Sequence, residues 1–190
     1  MRMILLMLCI VFLTGCTQHR ANNIYVLPEK EILSDEIMLK VAIKLKKEKG
    51  LHPCGTGGQM LHQIKMLALS FDYYHEISIE EGRELLVDAV NEFAAQVNAS
   101  QTIRPYLDDS PFGPQNIEIR IFLHNSDGSD LALGKLRVIS SINKLLEYDI
   151  RHLETERLET IYQESFEEAV SKINLSKADS MLCGEGKALI

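Results

Sequence analysis

Residues 117–123 read IEIRIFL, with Ile117, Ile119, Ile121 and Leu123 alternating with Glu118, Arg120 and Phe122. Successive side chains of an extended strand point to opposite faces, so this pattern predicts a strand buried on one side. NSDGSD at 125–130 is turn chemistry, and Leu136, Val138, Ser140 and Ile142 begin a returning strand that continues, with a bend, to Ile150. A lone two-stranded hairpin is marginal in water. The chain must therefore bring at least one more strand, and a layer of helices, to the apolar face of this one.

The stretch QIKMLALSFDYYHEI supplies the expected third strand. Leu67, Leu69, Phe71 and Tyr73 alternate, although Met60, Leu61, Ile64, Leu67, Ala68 and Phe71 also fit helical spacing. The need for a third strand decides for a strand over about 64–75. Ser78 and Glu81 form an S-x-x-E capping box, and Leu86, Ala89, Val90, Phe93 and Val97 keep helical spacing to Asn98. An earlier helix is expected to start at a Ser34 cap, to bury Ile37, Val41 and Leu45, and to stop at Gly50 after Lys44, Lys46, Lys47 and Lys49. Leu158, Ile161, Tyr162, Phe166, Ala169, Val170 and Ile173 predict one long final helix, its outer face acidic through Glu154, Glu156, Glu159, Glu164, Glu167 and Glu168. The expected order is α-β-α-β-β-α. That is an α+β domain over residues 34–175, with a small mixed three-stranded sheet, parallel across the β-α-β crossover and with helices on one face. Residues 176–190 are read as a tail.

The first residues, MRMILLMLCIVFLTGC, carry one positive charge at Arg2, an apolar run from Ile4 to Leu13, and then Leu13-Thr14-Gly15-Cys16. The run is shorter than the roughly 20 residues needed to span a bilayer. The three-part layout is that of a secretory signal, and its last four residues match the lipobox, so this N-terminus resembles that of a bacterial lipoprotein. The resemblance covers residues 1–20. It implies removal of residues 1–15, a thioether-linked diacylglycerol on Cys16, and a fatty acid such as palmitate on the new amine. Two or more acyl chains anchor stably where one anchors marginally. Residues 16–33, polar and then mixed, become a lipidated tether. Thr17 stands where an Asp would resemble an inner-membrane retention signal, which points to the outer membrane of a two-membrane cell.

The chain has 190 residues and a net charge of −7, and loses one further positive charge with Arg2. So acidic a protein is not built to bind nucleic acid, which asks for a basic face. Cys9 leaves with the signal and Cys16 takes the lipid. Cys54 and Cys183 remain as a possible disulfide, since exported cysteines are often paired, or as two free thiols. Gly50-x-x-x-x-Gly55-Thr56 has the glycine spacing of a phosphate loop but no lysine and no preceding strand. His52, Cys54 and His62 are zinc-type donors at a spacing that matches no standard signature, and His75, His124 and His152 are scattered. No catalytic residue, metal ligand or cofactor is assigned.

Two irregular segments carry binding features. One is the glycine-rich stretch with Gly55, Gly57 and Gly58. The other is QTIRPYLDDSPFGPQ, residues 101–115, where Arg104, Tyr106 and Phe112 are residue types enriched at interfaces. Tyr106 and Phe112 would otherwise fold back as a lid on the core. If the crossover strands are parallel, both segments enter the sheet at one edge, although ligands of parallel sheets usually sit at the opposite, C-terminal one. The expected function is a non-enzymatic, lipid-anchored envelope module that binds a protein or an envelope polymer. The alternatives are a hydrolase acting on peptidoglycan or lipid through Cys54 and a histidine, and an assembly lipoprotein docking through its acidic last helix.

Overall fold

The computed structural model describes residues 28–185, with side chains described through Ala178. The lipobox, Cys16 and the tether up to residue 27 lie outside the described residues. The class is α+β: a single mixed sheet with three helices packed on one face. The sheet has six strands, not three, in the order β1-β2-β3-β4-β5-β6. These are β1 (His52–Gln59), β2 (Met66–Tyr73), β3 (Ile117–Leu123), β4 (Leu136–Ile142), β5 (Leu145–Arg151) and β6 (Leu158–Ser165). Only β2 and β3 run parallel; every other neighbour is antiparallel.

Three helices cover that face. α1 (Glu29–Lys49) lies over β1 and β2, α2 (Ile79–Ala99) over β3, β4 and β5, and α3 (Phe166–Glu185) against β5, β6 and α2. Between them and the sheet sit Leu67, Leu69 and Phe71 of β2, the alternating residues 117 to 123 of β3, Ile139 of β4, and Leu146 and Tyr148 of β5, all buried. From α1 and α2 come Val41, Leu45, Leu86, Val90, Phe93 and Val97. Among the described residues no helix packs on the opposite face of the sheet.

Four sequence expectations need correction. α1 begins at Glu29, behind Pro28, and Ser34 is inside it, its hydroxyl turned back to donate to the Lys30 carbonyl at 2.7 Å. That back-bond is one that a serine inside a helix commonly makes. The glycine-rich stretch is strand β1 rather than a loop, because β2 pairs with it along its length. The returning strand does not bend but turns: Asn143 and Lys144 both take positive φ, 48° and 65°, the geometry of a type I′ hairpin. The final long helix is two elements, β6 followed by α3. Ser165 and Glu168 cap α3 reciprocally, the Ser165 N–H donating to Glu168 Oε2 at 2.8 Å and the Glu168 N–H to Ser165 Oγ at 3.2 Å. The helix then runs on through Glu185, past the expected start of the tail at 176.

Candidate functional site

An edge strand exposes one row of backbone N–H and C=O groups, and proteins ordinarily cover or blunt that row. This sheet has two edges, β1 and β6. None of the β1 residues is buried, on either face. Gly55 lies opposite Ser70 and Gly57 opposite Ala68. A Cβ at Gly55 would come within 3.4 Å of the Ser70 Cβ, and one at Gly57 within 3.6 Å of the Ala68 Cβ. Further into the sheet, β2, β3 and β4 leave a shallow hollow lined by Ala68, Ser70, Glu118, Arg120 and Ile142. Arg120 is exposed, and its guanidinium makes no hydrogen bond or ion pair among the described residues.

The proline-rich segment joins this edge at the N-terminal end of β2 and β3. Its partner there is the β1–β2 connection rather than the glycines: the Ile64 N–H donates to the Tyr106 carbonyl at 2.7 Å, and the Asp108 N–H to the Ile64 carbonyl at 3.0 Å. Asn116 reinforces the junction, its side-chain amide donating to the Lys65 carbonyl at 3.0 Å and to Asp109 Oδ2 at 2.8 Å. Of the three side chains expected to bind, Arg104 is exposed, and Tyr106 is half-buried with its hydroxyl donating to Glu29 Oε2 at 2.8 Å. That hydrogen bond raises the Tyr106 pKa. Phe112 is 1% exposed. The Asn98 side chain brackets its backbone with two hydrogen bonds of 2.8 Å, so Phe112 is a core residue out of reach of any partner.

At the other end of the sheet, where the parallel strands finish, polar groups that looked scattered in the sequence come together. Asp72 Oδ1 is 2.9 Å from His124 Nε2, Tyr74 stacks at a tilt on His124 with 5.6 Å between centroids, and His52 meets Tyr74 edge-on at 5.2 Å. Cys54 reaches the same carboxylate. It is a free, exposed thiol whose pKa is raised by burial first, then by the charge of Asp72 and a hydrogen bond to it. The buried Nδ1 of His124 has no hydrogen-bond partner among the described residues. A thiol nucleophile needs its base beside it and its pKa lowered. Here burial, first, and the charge of Asp72 move the Cys54 pKa the other way, upward. His62 lies away in the β1–β2 connection and His152 in the β5–β6 turn. No group of three or more His, Cys, Asp or Glu among the described residues is placed to hold a metal ion. The side chain of Cys183 lies outside those described.

The sequence reading missed Glu164, assigned there to an exposed helix face. It is 4% exposed on β6, aimed under α3. Its Oε1 accepts from Arg83 Nε at 2.7 Å and from the Tyr148 hydroxyl at 2.8 Å, and its Oε2 from Lys172 Nζ at 2.8 Å and the Tyr162 hydroxyl at 3.3 Å. Burial alone would raise the pKa of this carboxyl, but the hydrogen bonds from Lys172, Arg83 and Tyr148 outweigh it and lower it. Burial and the same carboxylate push the Tyr148 hydroxyl up. This network ties α2, β5, β6 and α3 together around the buried Glu164 carboxylate, with Lys172 at its solvent edge, 43% exposed. It also breaks up the acidic helix face expected from sequence, since Glu159 and Glu164 are on a strand and Glu167 and Glu168 on the following helix.

No family model matches this chain, and no curated protein or solved structure is similar enough to match it. Among the described residues no helix is long and apolar enough to cross a membrane.

Proposed function

We propose that this chain is a non-enzymatic, lipid-anchored protein of the cell envelope that binds an extended segment of a partner protein along β1. The anchor is Cys16, and the outer membrane is the expected site in a two-membrane cell. The observation that carries the binding role is the open, glycine-rich edge of β1. A strand added there gains main-chain hydrogen bonds for affinity, while side chains on one face reach the hollow beside Ser70 and Arg120 for selectivity. Arg104 and Tyr106, at the end of the sheet where β1 finishes, extend this surface, with Gly55, Gly57 and Gly58 within it. The raised pKa of the Cys54 thiol, opposite to what a thiol nucleophile needs, argues against a hydrolase built on Cys54.

A photo-crosslinking side chain at Thr56, exposed in mid-β1, tests the reading in intact cells. The expected result is one discrete adduct band that Gly57→Pro removes while the purified variant keeps its helical circular dichroism. Adducts from Thr56 no different from those obtained at Glu154, in the β5–β6 turn, would overturn it.

A further inference from the structure

α1 is apolar on two sides. Ile37, Met38, Val41, Ala42 and Leu45 face the core, while Ile32, Leu39 and Ile43 recur at i, i+7 and i+11 on the opposite side. There they are 44%, 61% and 59% exposed. Leu39 and Ile43, one turn apart, share a face directed away from the sheet; Ile32 lies on the same side two turns before Leu39, with the exposed Asp35 and Glu36 in the turn between them. Lys40, Lys46 and Lys47 flank the C-terminal half of this side. The side chains of Lys46 and Lys47 have no hydrogen bond or ion pair among the described residues, whereas Lys44 is held by Glu92 at 2.7 Å and Lys49 by Asp88. An exposed apolar stripe edged by unpaired lysines is the makeup of a helix lying in a bilayer interface.

The place of the helix in the chain names the occupant. Residues 17–28, between Cys16 and α1, reach at most about 40 Å when fully extended. A 21-residue helix is itself about 30 Å long. A lipid on Cys16 therefore confines α1 to the neighbourhood of the membrane surface, where its apolar stripe has acyl chains to enter and its lysines have anionic headgroups to meet. We infer that α1 docks flat on an anionic bilayer through Ile32, Leu39 and Ile43 and the lysines beside them. This rests on the lipid-anchor reading. The consequence is orientation: the helices lie on one face of the sheet, so a bilayer under α1 leaves the uncovered face, with its hollow and Arg120, directed away from the membrane. Acyl chains alone would hold the protein but let it tumble.

The chain contains no tryptophan, so a single introduced one reports without background. Full-length, processed lipoprotein carrying Leu39→Trp or Ile43→Trp is reconstituted into phosphatidylglycerol–phosphatidylethanolamine vesicles with brominated acyl chains. Both variants are expected to emit at shorter wavelength and to lose at least half their intensity to bromine. Leu153→Trp, in the β5–β6 turn, keeps its intensity. Lys40→Glu with Lys46→Glu and Lys47→Glu returns the Leu39→Trp emission toward its solvent value. Vesicles that float with the protein while Leu39→Trp and Ile43→Trp stay unquenched would overturn the docking and leave the anchor standing. Failure to float, or loss of the lipid mass on Cys16, would overturn the anchor itself. A concentration-dependent blue shift without vesicles would assign the stripe to a second copy of the chain and overturn the inference.

Discussion

The two edge strands of the sheet are built in opposite ways. β6 begins exposed, with Leu158 and Ile161 in solvent, but its end is locked: Glu164 takes four hydrogen bonds, Phe166 is buried, and α3 starts at once from the Ser165 cap. β1 has backbone pairing with β2 and little else, since glycine occupies three of its positions and none of its side chains is buried. Buried side-chain chemistry holds one edge; the other rests mainly on its ladder, with the His52–Tyr74 contact at one end. A buried carboxylate with two cations and two hydroxyls is a costly way to fix a strand and makes sense where the strand must not move. A glycine edge gives up that fixation and leaves its backbone free to be read.

The comparison can be broken hardest at Glu164. Glu164→Ala leaves the Arg83 guanidinium buried without its carboxylate and should cost about 3–5 kcal/mol in urea unfolding. A loss below about 1 kcal/mol would mean that β6 is no better fixed than β1. Acidity probes the same group. Because the folded pKa of Glu164 lies below its ordinary value, its stabilising contribution is complete above the ordinary carboxylate range and is lost as pH falls through it and below. Wild type should therefore be more stable than Glu164→Gln at neutral pH, and the two unfolding curves should converge in acid. Next in size is the start of α3: Ser165→Ala should cost about 1 kcal/mol, like Ser78→Ala at the start of α2. Smallest is the open edge, where Thr56→Ala should change stability by no more than about 0.5 kcal/mol. Beside that edge, on β2, Asp72→Asn should speed alkylation of Cys54 at mildly alkaline pH, because it removes a charge that raises the thiol pKa; an unchanged rate would leave burial as the whole cause.

Much of the sheet's centre could be read from residues. The alternation of residues 117–123 is β3, and Leu67, Leu69 and Phe71 are the buried side of β2. The Ser78–Glu81 capping box opens α2 as its spacing predicts. Two of the strands that escaped lack such a signal. β1 has no apolar alternation because its stability comes from backbone pairing, and β5 begins after an Asn-Lys turn rather than the Asn-Gly that usually marks a hairpin. For β6 a signal was present. Ser165-x-x-Glu168 repeats the Ser78-x-x-Glu81 pattern and marks a helix start in the middle of what helical spacing made look like one helix. Site residues were less legible. Cys54, Asp72 and His124 are brought together by strand register, and Phe112 and Tyr106, alike as aromatic loop residues, differ because Asn98 grips one backbone while Glu29 holds the other's hydroxyl near the surface.

Hydrogen–deuterium exchange across the two edges of the full-length protein tests the central claim most directly. The account predicts that amides of residues 52–59 exchange well ahead of those of 163–169 in the purified protein. Protection of 52–59 equal to that of 163–169 would contradict it, because the edge proposed to receive a partner would already be closed.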